Sequence, residues 1–198
     1  MMPRWAKTLL LSSLERLRRA CRACLFRVRF FGRAVKIDSS SRVSWRAVIC
    51  TAGGGSISIG KSCEIHAFSM LLTYGGHISI GDNCSVNPFA IVYGHGGVKI
   101  GDRVRIAAHT VIIPANHNIP AAGAPLHQSG TTAKGIAIDN DVWIGSGARI
   151  LDGVCIGSNA VIGAGSVVTR SVPALTTVAG VPARVIRARQ VVTGNGSR

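Results

Sequence analysis

Aliphatic residues recur at every sixth position between residues 37 and 168, in groups of three: Ile37/Val43/Ile49, Ile59/Ile65/Leu71, Ile80/Val86/Val92, Ile100/Ile106/Ile112, Ile138/Ile144/Ile150 and Ile156/Ile162/Val168. A spacing of six fits neither the 3.6-residue turn of a helix nor the two-residue alternation of a simple strand. It fits a short strand followed by a corner, and three such units close a triangular coil. Four residues after an anchor the side chain is small or β-branched, as at Cys63, Ser69, Cys84, Ala90, Val104, Thr110, Val142, Ala148, Val154, Ala160 and Ser166. Glycine often follows the anchor directly, at Gly60, Gly81, Gly101, Gly145, Gly157 and Gly163. The pattern predicts an all-β parallel solenoid whose anchors stack rung above rung into a narrow aliphatic core, with neighbouring rungs at the strand spacing of roughly 4.8 Å.

The departures from six carry further information. Between successive groups the steps are 10, 9, 8, 26 and 6 residues, and every enlargement follows the third anchor. All insertions therefore emerge along one edge of the prism: Ala52-Gly53-Gly54-Gly55, Tyr74-Gly75-Gly76-His77, Tyr93-Gly94-His95-Gly96-Gly97, and a long corner loop spanning 114–137. A scaffold that confines its insertions to one edge is expected to build a site there.

Composition agrees with a narrow core. In 198 residues, 47% are hydrophobic but only 5% aromatic, and 24 are glycine, which fits one domain and argues against disorder. The net charge of +15 is uneven: residues 1–46 carry net +10 and residues 47–198 net +5. Such an excess suits a nucleic acid, an anionic membrane surface or a phosphorylated substrate. Within residues 1–34, Trp5, Leu9, Leu10, Leu14, Leu17, Cys21 and Leu25 fall near one helical stripe with Arg16, Arg18, Arg19 and Arg22 around it, predicting a basic amphipathic helix. That helix can lie on an anionic membrane surface or cap the open end of the solenoid; nucleic acid is the least favoured partner. No apolar run approaches the roughly 20 residues that span a bilayer, and Leu9-Leu10-Leu11 runs into charge without a cleavage site, so a cytoplasmic protein is expected, peripheral to the inner membrane face if the helix binds lipid. The six cysteines then read as small buried thiols, and Cys21-x-x-Cys24 lacks a second ligand pair for zinc. Residues 190–198 show no period and form a tail, leaving residues 35–189 as the solenoid domain.

Three segments narrow the reading: Asp141-Val142-Trp143-Ile144-Gly145-Ser146-Gly147, Ile162-Gly163-Ala164-Gly165-Ser166-Val167-Val168-Thr169-Arg170, and Ala179-Gly180-Val181-Pro182-Ala183-Arg184-Val185-Ile186-Arg187. With Ala115-Asn116-His117-Asn118 before the long loop, they resemble the hexapeptide-repeat acyltransferase superfamily, in particular its galactoside/maltose O-acetyltransferase branch and the capsule and exopolysaccharide O-acetyltransferases. The resemblance implies a left-handed parallel β-helix, here of about six coils, that forms homotrimers with sites between subunits. It implies acetyl-CoA as donor and a saccharide or glycan precursor as acceptor.

Acetyl transfer from a thioester to an alcohol needs a base, donors for the tetrahedral oxyanion and a slot for the pantetheine arm. His117 matches the family's catalytic histidine, and an imidazole can accept a proton near neutral pH. His95, one rung earlier on the same edge, is the rival base or an acceptor contact; the family branch carries an acid there. Asn87 matches a site asparagine and suits a sugar hydroxyl, while Tyr74 and Tyr93 can stack on a sugar or simply roof the edge. On the donor side the resemblance carries over to Ser146, Ala164, Thr169, Arg170, Arg184 and Arg187, with backbone groups for the pantetheine and arginines for the phosphates. The family has Lys where Arg170 stands. Trp143 either follows the arm or is an outward solenoid residue. No metal site is expected, because His66, His77, His109 and His127 follow no metal-ligand spacing and Asp82, Asp102 and Asp139 sit at scattered turns. Transfer to an amine and a non-catalytic assembly or membrane-surface role remain the alternatives.

Overall fold

A computed structural model describes residues 34–190, so the basic helix expected over residues 1–34, with Cys21 and Cys24, and the tail beyond residue 190 lie outside the described residues. The hexads wind into a left-handed parallel β-helix with three sheets, here A, B and C. The first coil sets the order, with Val35–Ile37 in sheet A, Arg42–Val43 in sheet B and Val48–Cys50 in sheet C. Among the described residues sheets A and C each hold six strands and sheet B eight. Anchors stack on anchors: Ile144 lies between Ile106 and Ile162 in register, and Ile150 between Ile112 and Val168. Leu71, Val86, Val92, Ile112, Ile144 and Ile150 are fully buried, each such side chain contributing about 1.5–3 kcal/mol through loss of apolar surface to water.

Two features escape a six-residue period. Strands of sheet A point two side chains inward, pairing Ile57 with Ile59, Ile78 with Ile80, Val98 with Ile100 and Ile136 with Ile138. A seventh, partial coil follows Val168 after a step of only four: Val172 bridges to Ile156, and Thr176–Ala179 runs parallel to Val161–Ile162 with Val178 over Ile162. Arg184–Ala188 then folds back antiparallel and ends sheet B. The long loop also closes slightly earlier than residue 137, since Ile136–Ile138 already belongs to sheet A.

The corners explain the small residues. From the second coil to the sixth, three residues after each anchor of sheets A and B, the backbone turns left-handed, at Ser62, Phe68, Asn83, Phe89, Arg103, His109, Asp141 and Asn159, and glycine serves at Gly147 and Gly165. The next side chain points into the corner and is buried, as with Cys63, Ser69, Ala90, Thr110, Ala148 and Ser166. Along the A-to-B edge, Oδ1 of Asp82, Asp102 and Asn140 accepts the N–H of Lys61, Asp82 and Asp102 at 2.7–2.8 Å. The carboxylates of Asp82 and Asp102 and the amide of Asn140 are thus corner ties.

Of the cysteines, Cys63 and Cys84 are buried corner thiols donating to the carbonyls of Gly81 and Gly101, each at 3.0 Å. The hydrogen bond with Cys63 and burial push the Cys84 thiol up. Cys155 departs from the expected burial: preceding its inward anchor Ile156, it points outward from sheet A and is exposed.

Outward positions give the three faces different chemistry. Sheet A shows Lys36, Ser58, Ser79 and Lys99; sheet B shows Arg42, Glu64, Ser85, Arg105 and Trp143. Sheet C shows Val48, Met70, Ile91, Val111 and Val167 with Leu72, Tyr93, Ile113 and Leu151, so its outer face is apolar except at Arg149, whose Nη1 is spent on the corner carbonyls of His109 and Gly147. Among the described residues, no helix is long and apolar enough to cross a membrane.

Candidate active site

The insertions leave the prism at the C-to-A edge, as their spacing predicts. The longest opens with Asn116–His117, which pairs antiparallel with Thr131–Thr132 and sets His117 opposite Thr131. Asn118 ties the loop across its neck: its Nδ2 donates to the Ser129 carbonyl at 2.9 Å, and its N–H to the Gly130 carbonyl at 3.1 Å. His117 itself is exposed. At the root, Gly96 N–H donates to the Pro114 carbonyl at 3.2 Å, and Asp152 Oδ1 accepts from the N–H groups of Lys134 and Gly135 at 2.8 and 2.9 Å. Asp152 thereby fixes where the loop rejoins the coil. Its signal in the sequence is an acid before Gly153 in the coil whose step at this edge is six.

His95, Tyr74 and Tyr93 cluster on the same edge. The His95 ring stacks on Tyr74, with centroids 4.7 Å apart and planes at 15°, and Tyr93 sits 6.0 Å away. The tyrosines lie 5.7 Å from each other, so these rings roof the edge together. Thr169 and Arg170 follow the last sheet C strand, Val167–Val168, on this edge too.

Asn87, Ser146 and Ala164 lie elsewhere, on the B-to-C edge. The Asn87 amide donates to the Ile106 carbonyl at 2.9 Å, which holds the side chain and leaves Oδ1 outward of that bond. Ser146 Oγ donates to the Ala108 carbonyl at 2.7 Å, and Arg149 Nη1 braces the corner by donating to the carbonyls of His109 and Gly147 at 2.9 and 2.7 Å. The N–H groups of Ser146 and Ala164 have no acceptor among the described residues. Along this edge Phe68, Phe89 and His109 form a ring ladder with centroid spacings of 5.2 and 5.1 Å. The ladder stops where Gly147 and Gly165 take the equivalent places, and a Cβ on Gly165 would meet nothing within 4 Å. An open slot therefore runs beside the free donors of Ser146 and Ala164.

Arg184 and Arg187 lie on the exposed final strand of sheet B, and Trp143 projects outward from the same sheet, 56% exposed. Sheet C separates the two edges, so within one chain His117 lies apart from Asn87, Ser146 and Ala164. One polar groove, of about 300 Å³, does form on sheet B, lined by Ser62, Glu64, His66, Asn83, Cys84, Ser85, Asn87 and Arg105. Of these, only Asn87 stands out from the sequence as a site residue. The available signal is that Arg42, Glu64 and Arg105 precede anchors of sheet B where Val48, Met70, Ile91 and Val111 precede those of sheet C. Among the described residues no group of three or more His, Cys, Asp or Glu side chains is placed to hold a metal ion.

A left-handed prism of hexads with a histidine-bearing loop on one edge and a donor-lined slot on another defines the class. The family described as bacterial transferase hexapeptide (six repeats) matches residues 135–170. A hexapeptide-repeat-containing acetyltransferase from Vibrio cholerae, solved in complex with acetyl coenzyme A, is 30% identical with a TM-score of 0.54, covering 87% of this chain and 78% of that one. The chain belongs to the hexapeptide-repeat transferases. AntD, an N-acyltransferase from Bacillus cereus, solved as a mutant with dTDP and coenzyme A, is 25% identical with a TM-score of 0.68 over 78% of this chain and 84% of that one. Galactoside O-acetyltransferase of Escherichia coli K12 is 45% identical over 91 residues, 46% of this chain and 43% of the relative. A tetrahydropyridine-dicarboxylate N-acetyltransferase of Staphylococcus aureus is 50% identical over 56 residues, 28% of this chain and 23% of the relative. The matches span less than half the length of these curated relatives.

Proposed function

We propose that the protein is an acetyl-CoA-dependent O-acetyltransferase acting on a hydroxyl of a saccharide or glycan precursor at sites shared between the subunits of a homotrimer. The observation that carries this reading is the division of the candidate residues between two edges that flank the apolar outer face of sheet C. Three copies packed through that face, burying apolar surface, set the C-to-A edge of one subunit beside the B-to-C edge of the next. His117 of one copy then faces the slot of Ser146 and Ala164 in another.

In that arrangement the pantetheine amides bond the free N–H groups of Ser146 and Ala164, and Arg170, Arg184 and Arg187 serve the nucleotide phosphates with Thr169 beside them. His117 takes the acceptor hydroxyl proton as the oxygen attacks the thioester carbonyl. The tetrahedral intermediate collapses with loss of the CoA thiolate, which takes the proton back from the imidazolium, leaving an acetyl ester and free CoA. Asn87, Tyr93 and His95 hold the acceptor. Donor supply places the enzyme in the cytoplasm. Transfer to an amine is the second reading, favoured by the AntD likeness and by the Staphylococcus aureus relatives.

The test is subunit complementation with acetyl-CoA and paired hydroxyl and amine sugars. His117→Ala removes the base of one subunit, and the double variant Arg184→Ala/Arg187→Ala, assayed at acetyl-CoA far below its raised KM, disables the donor contacts of the other. Co-assembled mixtures should regain part of the turnover that neither variant has alone, since some sites draw both intact edges. Mixtures as inactive as their parents, at confirmed co-assembly, would refute shared sites; faster transfer to amines would replace O-transfer by the second reading.

A further inference from the structure

The groove on sheet B has a charge arrangement that the acetyl-transfer chemistry does not require. Along the sheet the outward row reads Arg42, Glu64, Ser85, Arg105 and Trp143, one residue per rung. Glu64 is already compensated: it pairs with Arg42, and His66 Nε2 stands 3.4 Å from its second oxygen. Arg105 is not. It donates one hydrogen bond to the Asn83 carbonyl, which orients the guanidinium, and has no carboxylate partner among the described residues. Neighbouring Arg103 is by contrast held by Asp141 through two bonds of 2.7 and 2.8 Å.

Between Glu64 and Arg105 lies Ser85, a short side chain only 9% exposed, whose hydroxyl makes no hydrogen bond among the described residues. Glu64 and Arg105 are two rungs apart, about 10 Å along the sheet. One wall therefore offers a carboxylate acceptor for hydroxyl groups, the floor an unspent hydroxyl, and the far wall an unneutralised guanidinium fork. Such a fork matches the two oxygens of a carboxylate or a phosphate.

We infer that this groove recognises an acidic sugar, with hydroxyls toward Glu64 and Ser85 and an anionic carboxylate or phosphate on Arg105. The inference deepens the acetyl-transfer reading and rests on it for calling the sugar the acceptor; Asn87, shared by groove and B-to-C edge, links the two. The exposed Trp143, next to Arg105 in register, extends the wall with an apolar surface for the sugar's C–H face.

Ligand-observed NMR titration of the full chain, without acetyl-CoA, tests it with methyl glucuronide, glucose 6-phosphate and neutral methyl glucoside. One anion or both should bind at least tenfold tighter than methyl glucoside. Arg105→Gln should abolish that preference while changing methyl glucoside binding less than twofold, and Arg105→Lys should keep part of it. The better anion says whether the group is a carboxylate or a phosphate. Equal binding of all three, no binding of either anion at millimolar concentration, or a preference that survives Arg105→Gln in a variant with wild-type melting would overturn the proposal. Anion preference without acetyl transfer would leave the groove and sink the acetyltransferase reading. Acetyl transfer to neutral sugars without anion preference would do the reverse.

Discussion

Gly145→Ala adds one methyl group at the B-to-C edge, directly after the fully buried anchor Ile144. The new Cβ would lie 2.6 Å from the N and 2.9 Å from the Cα of Ala164, and 2.8 Å from the Ile162 carbonyl oxygen. All three are backbone atoms of the next rung, so no side chain can swing away. The rungs are tied at the same place by the bond from Gly145 N–H to the Ile162 carbonyl at 2.8 Å. Overpacking costs about 1–3 kcal/mol, and contact with backbone puts this site near the top of that range. The alanine restricts the unfolded chain, which offsets about 0.4–1 kcal/mol. The net loss is about 2 kcal/mol, or about 4–8 °C in melting temperature for a domain of this size. Gly165→Ala is the control. It has nothing within 4 Å but a φ of +67°, so only backbone strain of about 1–2 kcal/mol opposes it, partly offset in the same way. Differential scanning calorimetry at one protein concentration should rank Gly145→Ala below Gly165→Ala. The acetyl-CoA KM should rise in Gly145→Ala, because the displaced atoms include the Ala164 nitrogen. Melting of Gly145→Ala at or above that of Gly165→Ala would refute a rigid rung spacing at this edge.

If His117 is the proposed general base, His117→Ala should reduce kcat by roughly 10²–10⁴-fold with an unchanged melting temperature, since the residue is on an exposed loop; an unchanged rate would move the base elsewhere, His95 first. Arg184→Ala and Arg187→Ala should raise the acetyl-CoA KM more than they lower kcat, because phosphate contacts bind ground and transition states alike. Dephospho-CoA thioesters provide the control, narrowing the gap between wild type and variant if either arginine meets the ribose phosphate. Asp141→Asn keeps the left-handed corner, which asparagine tolerates, and removes only the ion pair with Arg103. The hydrogen bond from Arg103 holds the Asp141 carboxyl below the usual carboxylate range, so its stabilisation is complete above about pH 4 and lost as pH falls through the lowered value. Wild type should melt about 1–2 °C above the variant at pH 7, and the two should converge in strong acid; a constant gap would refute the assignment.

The solenoid was legible because its core forgives nothing: one inward aliphatic per six residues leaves a period that chance does not imitate, and the buried small residue at each corner repeats it in a second phase. The seventh coil was hidden because Val172 comes four residues after Val168, where a six-residue count lands on Ala174. The second inward row of sheet A was hidden for another reason, since Ile57, Ile78, Val98 and Ile136 sit beside the variable insertions. Asn87 and His117 were individually visible, but their separation was not. Which edge a residue occupies depends on its count from the nearest anchor, and Asn87, Ser146 and Ala164 lie one or two places after a sheet B anchor, whereas His95 and Thr169 follow sheet C anchors. Glu64, Ser85 and Arg105 were passed over because charged and hydroxylic residues flanking an anchor look like ordinary solvent-facing positions until the groove between them is seen.

The C-to-A edge absorbs every irregularity in the count, from an anchor step of 26 residues down to one of four, while the other two edges keep strictly to six from the first coil to the sixth. It is in effect a margin, where chain can be written in or struck out without shifting the lines above and below. A loop grafted between Ile113 and Ile136 leaves the anchors on both sides in their places, so the segment that carries His117 can change length with little demand on stability. The same length change at either of the other edges would put Ile144 or Ile150 out of line with its neighbours and be rejected by the core before any substrate met it.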